Sequence, residues 1–361
     1  MQRLGVYIHW PFCRSKCPYC DFFSRVSPTA GQESIVDDYL ADLEYYRHLN
    51  DDYTVDTVFF GGGTPSLLEP RQISRILDKI AALWPMSATP EISLEANPNT
   101  DRPGLFVDLK QAGINRLSLG VQALNDGDLK FLGRTHTLRD ALQSVDSVLK
   151  NFDNHSFDLI YARPGQTPAA WEKELRQAAA FGMKHLSLYQ LAIEEGTVFA
   201  RKGVAAMEED AAAELYRLSF DVTAAAGYRQ YEVSNYAQPG FECRHNLGYW
   251  HGDDYVGVGE GAVGYLHCEG KIVTTVHRRR LEEVSPRERA EELTIMGLRL
   301  DEGIDKERFA AACGLEWNAF VSPPQIAALT EAGLVEETPR RFKVTAEGRL
   351  LINYVVKKMC L

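Results

Sequence analysis

The sequence predicts an α/β fold: a parallel sheet with outer helices, followed by a mixed segment and a small helical module carrying a hairpin. Three observations predict it. Apolar, strand-like runs begin at Leu4, Val55, Glu91, Asn115, Ser156 and His185, and each gives way to a stretch with helical periodicity. Pro11, the run Gly61-Gly62-Gly63-Thr64-Pro65, Pro98 and Pro164-Gly165 punctuate the strand ends, where strands hand over to loops. After Gly227 this rhythm stops.

The elements follow in order. LGVYI breaks at Pro11, VDTVFF runs into the glycines, and EISLEA, NRLSLGV, SFDLIY and HLSLYQL supply the remaining four strands of a first domain over residues 1–227. Residues 228–284 are rich in aromatics and glycine, with a short strand candidate over 271–276. Residues 285–361 return to helical patterns over 287–300, 325–332 and 347–359, with a hairpin over 334–344 between the last two, a winged-helix-like order.

Composition narrows the function. With 45% hydrophobic and 25% charged residues in 361, the chain is an ordinary globular protein with room for one large domain and a smaller one. Its net charge of −11 argues against a general hold on a nucleic-acid backbone, so no nucleic-acid partner is expected. The opening residues have neither the apolar core of a signal peptide nor the length of a span, and no other segment reaches one. No transmembrane segment is expected. Seven cysteines, three of them bunched, fit a reducing cytoplasm better than a disulfide scaffold.

Cys13, Cys17 and Cys20 are the most informative residues. Three thiolates on one tight loop can hold an iron-sulfur cube by three of its four irons, leaving the fourth open to a ligand. Together with His9 they would also make a closed Cys3His zinc site, although zinc gives no reason for the glycine run. Three residues without Cβ let another group approach the backbone and meet its N–H donors, which suits the end of a zwitterionic ligand. No Gly-Lys-Ser/Thr follows, so the run is not a phosphate-gripping loop. Polar residues recur at the carboxyl ends of later strands, where barrels place their chemistry: Glu95, Gln122 and Asp158.

The segments YIHWPFCRSKCPYCDF, FFGGGTPSLL, SLEANP, RLSLGVQ, GRTH, DLIYARPGQT and SLYQLAIEEGT resemble the coproporphyrinogen III oxidase-like branch of the radical SAM superfamily over residues 5–200. The resemblance implies a partial (β/α)6 barrel. It implies a 4Fe-4S cluster on Cys13, Cys17 and Cys20, flanked by Tyr7 and Tyr19. It places S-adenosylmethionine against Gly62, Gly63, Thr64 and Glu95, and a second S-adenosylmethionine against Gln122, Arg134 and Asp158. Arg134 could pair a carboxylate through its rigid fork. One departure is Ala162-Arg163, where the family usually carries Gly-Leu.

Two features separate this chain from the oxidases themselves, which carry a long segment before the first strand and a further cysteine two positions past the cluster motif. Here the cluster motif starts at residue 13 and that position is Phe22. His245-Asn246-Leu247-Gly248-Tyr249-Trp250 is similar to the HNxxYW motif of the haem chaperones of the same branch. A histidine among aromatics can give an axial nitrogen to haem iron while Tyr249 and Trp250 offer flat apolar surface, so His245 is the candidate haem ligand. It could equally be a structural histidine, or join Cys243 and His251 in a small metal site. The expectation is a haem chaperone that carries the cluster, S-adenosylmethionine and haem. It would deliver haem to apoproteins such as membrane cytochromes, from the cytoplasm or peripherally at the membrane. The alternative is a radical enzyme acting on a tetrapyrrole.

Two motifs are set aside. Gly257-Val-Gly-Glu-Gly-Ala262 fits a loose dinucleotide fingerprint, but it follows Asp253-Asp254 and precedes a strand-like run, so it reads as a glycine-rich loop near the barrel mouth. The basic clusters at 277–280 and at Arg340, Arg341 and Lys343 read as solvated charges on an acidic protein.

Overall fold

The computed structural model describes residues 2–27, 31–49, 52–100, 102, 104–276 and 278–360. Six parallel strands form the frame: β1 (Gln2–Trp10), β2 (Tyr53–Gly62), β3 (Met86–Ala96), β4 (Arg116–Gln122), β5 (Asn154–Tyr161) and β6 (His185–Gln190). They lie side by side in chain order. Alternation along β1 shows why. Leu4, Val6, Ile8 and Trp10 face a buried outer layer, while Gly5, Tyr7 and His9 face the concave interior.

Helices cover the outer face. In the helix Pro70–Leu83, Ile73, Ile76 and Ile80 recur at helical spacing and are wholly buried in the same core as the strands. The helix Leu138–Asn151 begins on a reciprocal capping box between Thr137 and Asp140. The partial (β/α)6 barrel is thus present, and among the described residues no strand closes it into a full barrel.

Residues 228–284 are stitched to both edges of this frame. Asn235–Ala237 pairs antiparallel with β6, and Asp254–Val258 pairs in parallel with β1, from Leu4 opposite Asp254 to Ile8 opposite Val258. This corrects the reading that the Gly257 run lacks a buried strand before it. Asp254 does not break the strand because its carboxylate is satisfied by the Tyr53 hydroxyl and by His267, whose Nδ1 lies 2.7 Å away. A strand, Gly264–Cys268, follows the glycines instead of a helix, and the loop meets the cluster loop through Arg25 and Glu260 and through Gly261 against Phe23.

The last part has its own core, in which Phe309, Trp317, Phe320 and Phe342 pack together beneath Pro286–Gly297 and Ile352–Cys360. The hairpin Val335–Glu337 and Arg341–Val344 is present. The single helix expected over 347–359 is two, Ala346–Leu350 and Ile352–Cys360, because Leu351 leaves helical geometry at φ −111°, ψ 25°. The basic clusters are largely neutralised: Arg278 and Arg279 both pair with buried Asp42, Arg340 with Asp305, Arg341 with Glu302 and Lys343 with Glu336. His277 lies outside the described residues. Among the described residues no helix is long and apolar enough to cross a membrane.

Candidate functional site

The chain leaves β1 at Pro11 and folds the cysteine loop across the carboxyl ends of the strands. Cys20 N–H donates to the Cys17 carbonyl at 3.1 Å, which tightens the turn between them. The glycine run holds this loop in place. Gly63 N–H donates to the Trp10 carbonyl at 2.7 Å and Thr64 N–H to the Phe12 carbonyl at 2.9 Å. A Cβ on Gly63 would meet the Phe12 carbonyl oxygen at 2.7 Å, and one on Gly62 would meet the His9 ring at 2.6 Å in a backbone already at φ +103°. Two of the donors expected to face a ligand are therefore spent on docking the loop. What the run turns toward the cavity is its remaining backbone and the Thr64 side chain.

Beside the loop opens a cavity of about 390 Å³ lined by Cys13, Cys17, Cys20, Tyr19, Gly62, Gly63, Thr64, Glu95, Gln122, Arg134 and Asp158. Residues drawn from all six strand ends or the loops after them converge there. Loss of water pushes the Glu95 carboxyl up to about 8, with the neighbouring Asp158 adding to the rise and the Gly62 backbone N–H opposing it. Asp158 is raised by the same loss of water, against hydrogen bonds from Ser187 and from Ser118, the latter at 3.0 Å. Gln122 reaches the cavity from a strained position, φ +76° at the bulged end of β4. Both terminal nitrogens of Arg134 are engaged: Nη1 lies 3.5 Å from both Cys17 Sγ and the Tyr19 hydroxyl, and Nη2 donates to Asn97 Oδ1 and to the Gly120 carbonyl at 3.0 Å.

Among the described residues, no three His, Cys, Asp or Glu side chains are grouped to hold a single metal ion. His9, the fourth ligand a zinc site would need, is engaged by the Tyr7 hydroxyl at 3.1 Å and the Phe23 carbonyl at 3.0 Å. A cube places three thiolates on three different irons, so it does not require them to converge on one point. Cys20 is pushed up by burial, so taking a metal there would release a proton. Two carboxylates stripped of water beside an open volume suit a ligand that brings a cation and hydroxyls. The donor set fits the cluster and S-adenosylmethionine.

Tyr7 stands apart from this cavity. Its ring stacks 6.3 Å from both Phe59 and His245, and its hydroxyl belongs to His9. His245 is farther still, on the helix Arg244–Trp250 that plugs the barrel interior at the level of Gly5 and Thr57. Glu91 caps that helix from inside the barrel, accepting from Arg244 N at 3.0 Å and His245 N at 3.2 Å. The imidazole is 6% exposed, stacks 5.2 Å from Phe59 and takes a 2.8 Å hydrogen bond at Nδ1 from or to Thr57 Oγ1. Burial, with Arg116 adding, holds it down at about 3. The space beside it amounts to about 30 Å³, room for a water and not for a macrocycle. Cys243 faces Glu91 and His251 binds Glu302, so the three do not form a metal site.

Sequence reasoning passed over Asn97, which bridges Arg134 and Thr64, and Tyr189, which is 43% exposed and lines the cavity from the end of β6. Both were findable from their places at strand ends. Glu91 and Arg116, which meet the plug, carried no such signal.

Fold and site together define a member of the Radical SAM superfamily, whose model matches residues 7–178, with a HemN C-terminal domain matching residues 284–351. The chain is 35% identical over 375 residues to the heme chaperone HemW of Escherichia coli, covering 99% of this chain and 98% of that one, and 35% identical over 373 residues to the heme chaperone HemW of Lactococcus lactis, covering 99% and 97%. It is 32% identical over 386 residues to the mitochondrial radical S-adenosyl methionine domain-containing protein 1 of Danio rerio, covering 99% and 87%. It belongs to the HemW family of the radical SAM superfamily. In fold it matches coproporphyrinogen III oxidase (HemN) from Escherichia coli, with a TM-score of 0.81 at 21% identity over 99% of this chain and 90% of that one.

Proposed function

We propose that this chain binds haem and hands it to haem-accepting proteins, while holding a 4Fe-4S cluster on Cys13, Cys17 and Cys20 and S-adenosylmethionine in the adjoining cavity. The observation that carries the reading is the nearly full-length relationship to proteins named heme chaperones, and the cavity lined by Cys13, Cys17, Cys20, Glu95, Gln122 and Asp158 supports it. When bound, the cluster supplies an electron to a ligand on its open iron. Gly62, Gly63 and Thr64, beside the cysteine loop, would hold one end of that ligand. Glu95 accepts from a ligand hydroxyl or ammonium, and its raised proton affinity falls once a cation arrives. Gln122 and Asp158 close the far side.

For His245 to bind haem iron, its helix has to leave Glu91 and Thr57; its neutrality suits a ligand, and its burial does not. The acceptors fit a cytoplasmic protein that meets membrane cytochromes peripherally.

The test is transfer. Haem-loaded protein, prepared anaerobically, is mixed with apomyoglobin as the probe acceptor and the Soret band is followed. Movement of the band to the acceptor's position supports delivery, and haem that stays bound retires it. A radical enzyme acting on a tetrapyrrole is the second reading, favoured by Gln122 and Asp158 both lining the cavity. It requires 5′-deoxyadenosine to accumulate with turnover.

A further inference from the structure

Asn97, just past the end of β3, sits where two hydrogen-bond chains to the cysteine sulfurs meet. Its Oδ1 accepts from Arg134 Nη2, and the same guanidinium places Nη1 3.5 Å from Cys17 Sγ. Its Nδ2 donates to Thr64 Oγ1 at 3.2 Å, which leaves the Thr64 hydroxyl proton for Cys13 Sγ at 3.4 Å. The amide can face only this way. Reversed, its NH2 would meet a guanidinium that has no acceptor.

We propose that Asn97 is a positioning residue that raises the reduction potential of the cluster by aiming Arg134 at Cys17 and the Thr64 hydroxyl at Cys13. The inference rests on the cluster reading above. The physical ground is that a donor or positive charge against a ligating sulfur stabilises the electron-rich state. Reduction here is the uptake of one electron by the oxidised cluster from an external one-electron donor, and no bond forms or breaks at Asn97. Arg134 is half-buried and anchored independently on the Gly120 carbonyl, so losing Asn97 loosens its aim without removing it. Thr64 has no second anchor among the side-chain bonds of the described residues, so its proton becomes free to turn away.

Anaerobically reconstituted wild type, Asn97→Ala, Asn97→Asp, Thr64→Val and Thr64→Ser are titrated with dithionite under EPR, without S-adenosylmethionine, after iron content is measured. Asn97→Ala should lower the reduction equilibrium constant about tenfold, which is about 59 mV for a one-electron couple. Asn97→Asp should lower it further, because a carboxylate takes the Thr64 proton and adds negative charge. Thr64→Val should fall as well, and Thr64→Ser should restore the wild-type potential. Asn97 variants with full iron and the wild-type potential overturn the proposal. If those variants assemble no cluster, the threonine pair decides: equal potentials for Thr64→Val and Thr64→Ser overturn it, and a lower value for valine supports it. A wild type that takes up no iron refutes the cluster reading, and the role of Asn97 with it.

Discussion

Thr57 Oγ1 and His245 Nδ1 stand 2.8 Å apart inside the barrel, and that contact ties the helix after β6 to a strand laid down nearly two hundred residues earlier. With Glu91 at the helix start and Phe59 against the ring, it makes His245 part of the barrel's packing. Arg116, 2% exposed, adds a positive field that keeps the imidazole neutral.

That neutrality has a pH signature. The folded-state value near 3 lies below the ordinary value of 6.5, so in that window the unfolded chain binds a proton that the folded chain refuses. The contribution of His245 is therefore lost as pH falls below 6.5, with a slope of up to about 1.4 kcal/mol per pH unit. Asn places an amide where Nδ1 lies, so His245→Asn keeps the Thr57 contact and cannot titrate. In urea denaturation the wild type should lose stability relative to His245→Asn between pH 7 and 5. A gap that is constant with pH would contradict the buried, neutral placement.

The cysteines divide by position. Cys17→Ala should abolish a cluster of about four irons per chain. Cys243→Ala should keep it, because Cys243 packs against Glu91 in the barrel interior. Iron and sulfide analysis checks both, and iron lost equally in the two variants would move the cluster elsewhere.

Ala162 is wholly buried at φ +57°, a region glycine enters freely and alanine does not. Replacing it with glycine should stabilise the protein by about 0.5–1 kcal/mol, the relief of strain outweighing the added freedom of the unfolded chain. Next to it Arg163, itself buried, pairs with buried Glu174. Arg163→Leu alone should destabilise, since it takes the cationic partner from a buried carboxylate and leaves it only the Leu124 N–H and the Gln166 amide. Chemical denaturation reads both signs.

Phe22 lines the cavity mouth, 61% exposed, at the position of the oxidases' further cysteine. No conversion of coproporphyrinogen III to protoporphyrinogen IX is expected under anaerobic reducing conditions. Turnover in that assay would promote the radical-enzyme reading.

The barrel was legible because each strand announces itself locally: β-branched and aromatic runs ending in glycine or proline need no distant partner to be recognised. The convergence of Cys13, Glu95, Gln122 and Asp158 on one cavity followed from the rule that strand ends share a face. Three things were not legible. The N–H groups of Gly63 and Thr64 are spent on the Trp10 and Phe12 carbonyls, a pairing set by how the cysteine loop folds back. Asp254 opens a buried strand because Tyr53, two hundred residues earlier, and His267, on the following strand, satisfy it. The motif around His245 reads in sequence equally as a haem ligand or a structural histidine, and only tertiary packing reveals that its helix is a plug.

The measurement that bears most directly on the central claim is a haem titration of the anaerobically purified protein followed in the Soret region. The account predicts a saturable, shifted band at about one haem per chain, with Cys17→Ala binding as the wild type does because the cluster loop lies at the other end of the barrel from His245. A spectrum that remains that of free haem at every ratio would contradict it.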